Sequence, residues 1–152
     1  MHPIIETTLS IRNSFKHYLS SMSLDALNKI PEGFNNNIFW NIGHIISVQQ
    51  MIVVGLANER WTVDKRIVKE FMKGSKPERA YTEEDRMELL QILETSLQET
   101  QALFDADKLN TYQSYKTLTG YEITDFTSAC AFNLFHEGMH LGTLLSIKKF
   151  VK

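Results

Sequence analysis

The stretch "FHEGMHLG", residues 135–142, sets His136, Glu137 and His140 in the H-E-x-x-H spacing that in zinc peptidases supplies two metal ligands and a general base. Residues four apart on a helix share a face, so Phe132, His136, His140 and Leu144 fall on one line. An earlier helical run places a third histidine, His44, between Trp40 and Val48 in the same way. Three inward imidazoles admit two readings. Each can be a buried neutral ring satisfied by a neighbour, or the three can converge on a divalent cation. Leaving buried polar atoms unpaired costs about 1–3 kcal/mol apiece, whereas a metal takes one nitrogen of each ring at about 2.0–2.1 Å. The i,i+4 pair can chelate from one helix, and a packed neighbour about 8–10 Å away can supply the third arm. Spacing alone leaves both readings open.

The peptidase reading fares worse. Such sites need a third ligand, usually downstream, but "LGTLLSIKKFVK" after His140 contains no His, Asp or Glu. No strand signal promises a sheet edge to hold an extended peptide. Glu137 is turned about 100° from His136, which makes it a candidate supporting residue or a helix-surface group. Asn41 and Asn133, each three residues before a candidate ligand, can orient that ligand or a substrate from behind, or be ordinary polar helix residues. Cys130 lies six positions before His136, about 240° around the helix, and reads as core packing. His17 is a reserve ligand and His2 a solvated residue. Trp61, Phe71, Tyr112, Tyr115 and Tyr121 lie in long connections, where they can wall a substrate mouth or seal a bundle end.

The elements that must position these residues read as helical throughout. Ile4, Ile11, Phe15, Tyr18 and Met22 recur at steps of three, four and seven, with Glu6, Arg12 and Lys16 between them, giving one apolar stripe over Ile4 to Met22. "SLDALNKIPEGFNN" reads mostly as a connection, after which Asn36 or Asn37 can cap a second helix ending near Gly55. A third opens at "YTEEDRMELL", with Thr82 as cap and Asp85 as the acidic member of a capping box. It runs to about Phe104, with Leu90, Leu93, Leu97 and Phe104 facing inward. A fourth begins near Thr124 and continues to the end, where Lys148, Lys149 and Lys152 suit the negative helix pole. The intervals 58–80 and 106–122 exceed ordinary bundle loops, and "DKRIVKEFMKG" fits a short extra helix. The expected fold is therefore all-α, a four-helix bundle whose long connections carry short extra elements.

Bulk properties bound the function. At 152 residues one domain spanning 1–152 is expected, large enough to bury a continuous core. The 43% hydrophobic and 22% charged content is that of a soluble globular chain. A net charge of −2 argues against nucleic acid, which requires a concentrated basic face. One cysteine rules out an intrachain disulfide, and "MHPIIETTLSIRNS" lacks a secretory layout, so a cytoplasmic protein is expected. "IFWNIGHIISVQQMIVVGLA" carries no formal charge over about the length of a membrane span, yet its Asn, His, Ser and Gln residues favour a helix buried in protein, with no membrane partner.

"NNIFWNIGHI", followed some ninety residues on by "LFHEGMHLGTL", resembles the DinB-like (YfiT-like) family of metal-binding four-helix bundles across essentially the whole chain. Trp40, Gly43 and His44 match that family's Trp and Gly-His pair; His136, His140 and Gly142 match its H-x-x-x-H and following Gly. Many members place a Gln directly after this Gly, where the present chain has Thr143. The resemblance implies a three-histidine site for Zn, Ni or a related divalent ion, commonly in a homodimer, and relatives that include thiol transferases. Three neutral imidazoles leave the ion's charge uncompensated and coordination positions open, as in catalytic sites, so the expected activity is a transferase that activates a low-molecular-weight thiol towards an electrophilic substrate. A metal-dependent hydrolase using water on the same three ligands, and a non-catalytic metal-binding stress-response module, are the alternatives.

Overall fold

Helix starts follow the capping chemistry. In the computed structural model, which describes residues 1–151, α1 (Pro3–Ser21) begins with Pro at its first position, and its cap is His2, whose Nδ1 accepts from the Ile4 amide. His2 is thus a half-buried cap packed edge-on against Phe104 and Phe126, not the solvated residue expected. Asn37 caps α3 (Ile38–Gln49), its Oδ1 accepting from the Trp40 amide at 2.8 Å. Thr82 and Asp85 form the reciprocal capping box of α5 (Glu83–Asp105). Asp125 and Ser128 form another at α6 (Phe126–Ile147). Each box satisfies two amides that a helix start otherwise leaves unpaired.

Between α1 and α3 the chain makes one short helix, α2 (Leu24–Asn28), capped by Ser23. The sequence shows mainly a connection there because five residues cannot display a helical period. α4 (Lys65–Glu70) is the short extra helix expected in "DKRIVKEFMKG". The interval after α5 folds into a hairpin of two-residue strands, β1 (Tyr115–Lys116) and β2 (Glu122–Ile123), paired antiparallel. Strands this short leave no alternation to read, which is why the sequence gives no strand signal. Gly120, at φ +85°, turns the hairpin in a conformation that costs other residues more.

The four long helices form an all-α bundle in which α1 and α3 each pack against both α5 and α6. α5 and α6 therefore sit at opposite corners, and the connection between them must cross the end of the bundle, which accounts for its length. α3 does not stop cleanly near Gly55; it passes through a π-helical turn (Gln50–Val54) into a 3₁₀ turn ending at Ala57. The buried Gln50 side chain anchors this wider turn, its amide nitrogen donating to Gln49 Oε1 and its oxygen accepting from the Thr62 amide. Ile38–Ala57 is long and apolar enough to cross a membrane by length and composition, but 83% of its most apolar window is buried inside the protein, as for a core helix.

Of the inward positions expected on α5, Leu93 and Leu97 are buried while Leu90 and Phe104 are half-buried; Leu89 takes the fully buried place beside Leu93. α6 ends at Ile147 in a 3₁₀ turn, and Lys148 Nζ lies 4.8 Å from the Tyr18 ring centroid rather than at the helix carbonyls alone. Lys152 lies outside the described residues.

Candidate metal centre

α3 and α6 lie side by side in the bundle, and their facing stripes bring His44, His136 and His140 together. One ring nitrogen from each lies within 4.8 Å of the others. The ring centroids are 5.2 Å apart for His44 and His136, 4.8 Å for His44 and His140, and 4.5 Å for His136 and His140. Nitrogens bonded to one ion at about 2.0–2.1 Å sit about 3–3.5 Å apart, a spacing of the same order as this cluster's.

Two rings are held from behind. His44 Nδ1 lies 2.6 Å from the Phe71 carbonyl oxygen, and His140 Nδ1 lies 2.8 Å from Asn41 Oδ1. An oxygen accepts only from a protonated nitrogen, and Asn41 is oriented with its Nδ2 donating to the Asn37 carbonyl. Both rings therefore carry their proton on Nδ1 and turn the Nε2 lone pair towards the cluster, the tautomer that metal-ligating histidines use. His44 is further fixed by stacking on Trp40, centroids 4.5 Å apart and planes 13° apart. Trp40 is itself tied by an Nε1 hydrogen bond to Ser75 Oγ.

His136 differs. Its Nδ1 is buried and has no hydrogen-bond partner among the described residues. Burial holds the His136 ring down to about 3, with the neighbouring His140 and His44 charges adding to the effect. Burial likewise lowers His140 to about 4, helped by His44. His44 is lowered by burial and partly restored by the Phe71 carbonyl. All three are neutral near pH 7, and the lone pairs of His44 and His140 turn towards the cluster. Such a set suits a cation: the donor chemistry fits a borderline divalent ion, and the orphaned nitrogen marks a place where packing alone leaves a polar atom unsatisfied.

Glu137 is not at this cluster. Its side chain is fully buried on the other side of α6, where it pairs with the equally buried Arg12. Arg12 Nη2 donates to Glu137 Oε1 at 2.9 Å, Nε donates to both carboxylate oxygens, and Nη1 donates to Ser96 Oγ and the Leu93 carbonyl. Asn133 Nδ2 donates to Glu137 Oε1 as well. Neither the helix-surface position nor a place beside the ligands expected for Glu137 is found, and Asn133 serves this pair rather than His136. The 100° step between neighbouring residues sends Glu137 towards α1 while His136 faces α3. Arg12, which lies between the apolar positions of the α1 stripe, is buried because it meets this carboxylate. Asn41 does orient a ring, but His140 across the helix pair instead of His44 three residues on.

The remaining candidates are dispersed. His17 is exposed on α1, away from the cluster. Cys130 is buried, which pushes its thiol up to about 12, so it remains protonated and unreactive. Tyr112 OH donates to the Val53 carbonyl and seals the bundle end, whereas Tyr115 faces the cleft that opens on the histidines. The Phe71 carbonyl is the participant that residue types could not reveal. Phe71 caps the C-terminus of α4, where carbonyls lack helical partners, and its ring lies so close over Gly43 that a Cβ there would overlap it. Gly43 is thus the residue that lets Phe71 reach His44.

Fold and site together define a four-helix bundle with a histidine trio on facing helices, a cluster that could bind a metal ion. The sequence profile of the DinB superfamily matches residues 8–144, and the chain belongs to that superfamily. A crystal structure of a conserved protein from Enterococcus faecalis is similar over 97% of this chain and 94% of that one, with a TM-score of 0.66 at 15% identity, a likeness of fold. No curated protein shows a significant match.

Proposed function

We propose that the protein is a divalent-metal-dependent transferase in which His44, His136 and His140 hold zinc or nickel and a low-molecular-weight thiol is joined to an electrophilic substrate. The observation that carries this reading is the trio of neutral rings, two of them locked in the ligating tautomer and one with a nitrogen left unpaired. When bound, a divalent ion supplies positive charge that favours the anionic form of a thiol or water at neutral pH. The chain's own residues do the rest. Phe71 and Asn41 keep the His44 and His140 lone pairs aimed at the cluster, and Trp40 holds the His44 ring in plane.

Two features favour a diffusible thiol over other nucleophiles. Cys130 stays protonated, so the chain offers no thiolate of its own. Glu137, committed to Arg12, leaves the cluster without the carboxylate that a peptidase would use to activate water. A screen of cellular thiols against electrophiles, with and without added metal, tests this: metal-dependent adduct formation is expected. Equal turnover of esters or amides in the absence of any thiol would move the assignment to a hydrolase, and a loaded but unreactive protein would move it to a binding module.

A cytoplasmic homodimer belongs to the same proposal. The dimer is supported by the exposed Phe135 and Leu145 on α6, where Gly138 and Gly142 leave room for a second helix to approach. The mass in solution checks the dimer.

A further inference from the structure

The cleft of about 360 Å³ that reaches the histidines says what kind of molecule enters. Its size is that of a small-molecule site rather than a protein interface. His44 and His136 line its floor, while Val48, Met51, Ile52, Phe132 and Met139 make apolar walls. The π-helical turn places Met51 and Ile52 there by widening the end of α3. The hairpin forms the rim: Tyr115 is half out in water, and Leu118 at the hairpin tip is 84% exposed. The rim threonines add little polarity, because Thr117 Oγ1 already bonds Thr119 Oγ1 and the Tyr121 carbonyl.

One charge breaks this apolar lining. Lys73 is the only Lys, Arg, Asp or Glu among the lining residues. It stands two residues beyond Phe71, whose carbonyl is fixed to His44, so its backbone is tethered next to the floor. Among the described residues no carboxylate pairs with Lys73, whereas Glu70 and Asp85 nearby in the chain are taken by Arg66 and Arg79. A lone ammonium at an apolar mouth complements an anionic group on an apolar body.

We infer that the second substrate is a largely apolar small molecule bearing one anionic group, a carboxylate, sulfonate or phosphate, with its body against Met51, Phe132, Met139 and Leu118 and its charge paired with Lys73. The inference rests on the proposed function for the chemistry at the floor, but the recognition it describes can be read without that chemistry.

The test uses ω-phenylalkanoates and the matching ω-phenylalkanols over a range of chain lengths. Binding is measured by calorimetry to the purified protein, to chelator-treated protein, and to Lys73→Met and Lys73→Glu variants. At the best length the carboxylate is expected to bind about three- to fivefold tighter than the alcohol, the scale of an exposed ion pair. In chelator-treated protein, where no ion can take the carboxylate, that advantage shrinks with added salt, vanishes in K73M and reverses in K73E. Leu118→Ser weakens both ligands together. Equal affinity of chelator-treated native protein for the two ligand classes overturns the inference, and so does a carboxylate preference that survives in chelator-treated K73M. Metal content measured on the same samples separates the two proposals. A native protein that takes up neither zinc nor nickel when both are supplied yet shows the Lys73-dependent preference sinks the metal reading alone, and a protein that takes up metal but lacks the preference after chelator treatment sinks this one alone.

Discussion

His136 and Glu137 are neighbours in the chain and inhabit two very different buried polar sites. On one side of α6, Glu137 meets Arg12 in a group where the guanidinium donates to the carboxylate, to Ser96 and to the Leu93 carbonyl, joining α1, α5 and α6. On the other side, three imidazoles face one another, two with their lone pairs turned inward and the third, His136, with its Nδ1 unpaired. A buried polar group that is satisfied within the protein needs no ligand; one that is not points outside the protein for its partner. The carboxylate of the H-E-x-x-H motif thus holds helices together, while its histidines form a cluster that could bind a metal ion.

The largest effect expected from breaking this comparison is on the Arg12 side. Glu137→Ala strands a buried guanidinium, which costs about 3–5 kcal/mol, seen as a large loss in denaturant or thermal unfolding. The double variant Arg12→Met, Glu137→Leu removes both charges and should recover much of that loss, because paired removal avoids the stranded charge. A Glu137→Ala protein that is fully stable but has lost its metal would place the carboxylate at the ion after all.

Acid should act on the histidine side. In the metal-free protein His136 and His140 are held at about 3 and about 4, below their ordinary 6.5. The unfolded chain therefore binds more protons in that interval. Their contribution to stability is complete above about pH 6.5 and is lost as the pH falls through about 4 for His140 and about 3 for His136, by roughly 2 kcal/mol per ring at pH 5. Unfolding of chelator-treated protein between pH 7 and 5 measures the slope, and the slope should flatten in His136→Ala, His140→Ala.

The residues behind the rings give a smaller effect. Asn41→Ala frees the His140 ring, and Gly43→Ala displaces Phe71 and with it the carbonyl on His44. Each is expected to weaken metal affinity about 10- to 100-fold, read by competition with a chelating dye. Gly43→Ala should also lower stability through the Phe71 overlap, whereas Asn41→Ala should change affinity more than stability. The smallest effect is at Cys130: Cys130→Ala should leave metal content and any thiol-transfer rate unchanged, since its thiol remains protonated in the core.

Much of this arrangement was legible in the sequence, and what was not has physical causes. The i,i+4 line of His136 and His140 and the stripe through His44 announced their burial because helical periodicity maps directly onto faces. The Thr82–Asp85 capping box fixed the start of α5 for the same local reason. Arg12 and Glu137 were opaque because nothing local distinguishes a charged residue that finds a buried partner 125 positions away from one that stays in water. α2 and the hairpin were too short to carry a period. The Phe71 contribution was invisible because a backbone carbonyl belongs to every residue, and only the end of α4 leaves this one free to meet His44.

Metal analysis of the purified native protein beside His136→Ala, His140→Ala, with both shown to be folded by circular dichroism, is the most direct test of the histidine trio. About one zinc or nickel per native chain and essentially none in the double variant is the expected result. Equal metal in the two proteins, or a native protein that takes up neither ion when both are supplied, would contradict it.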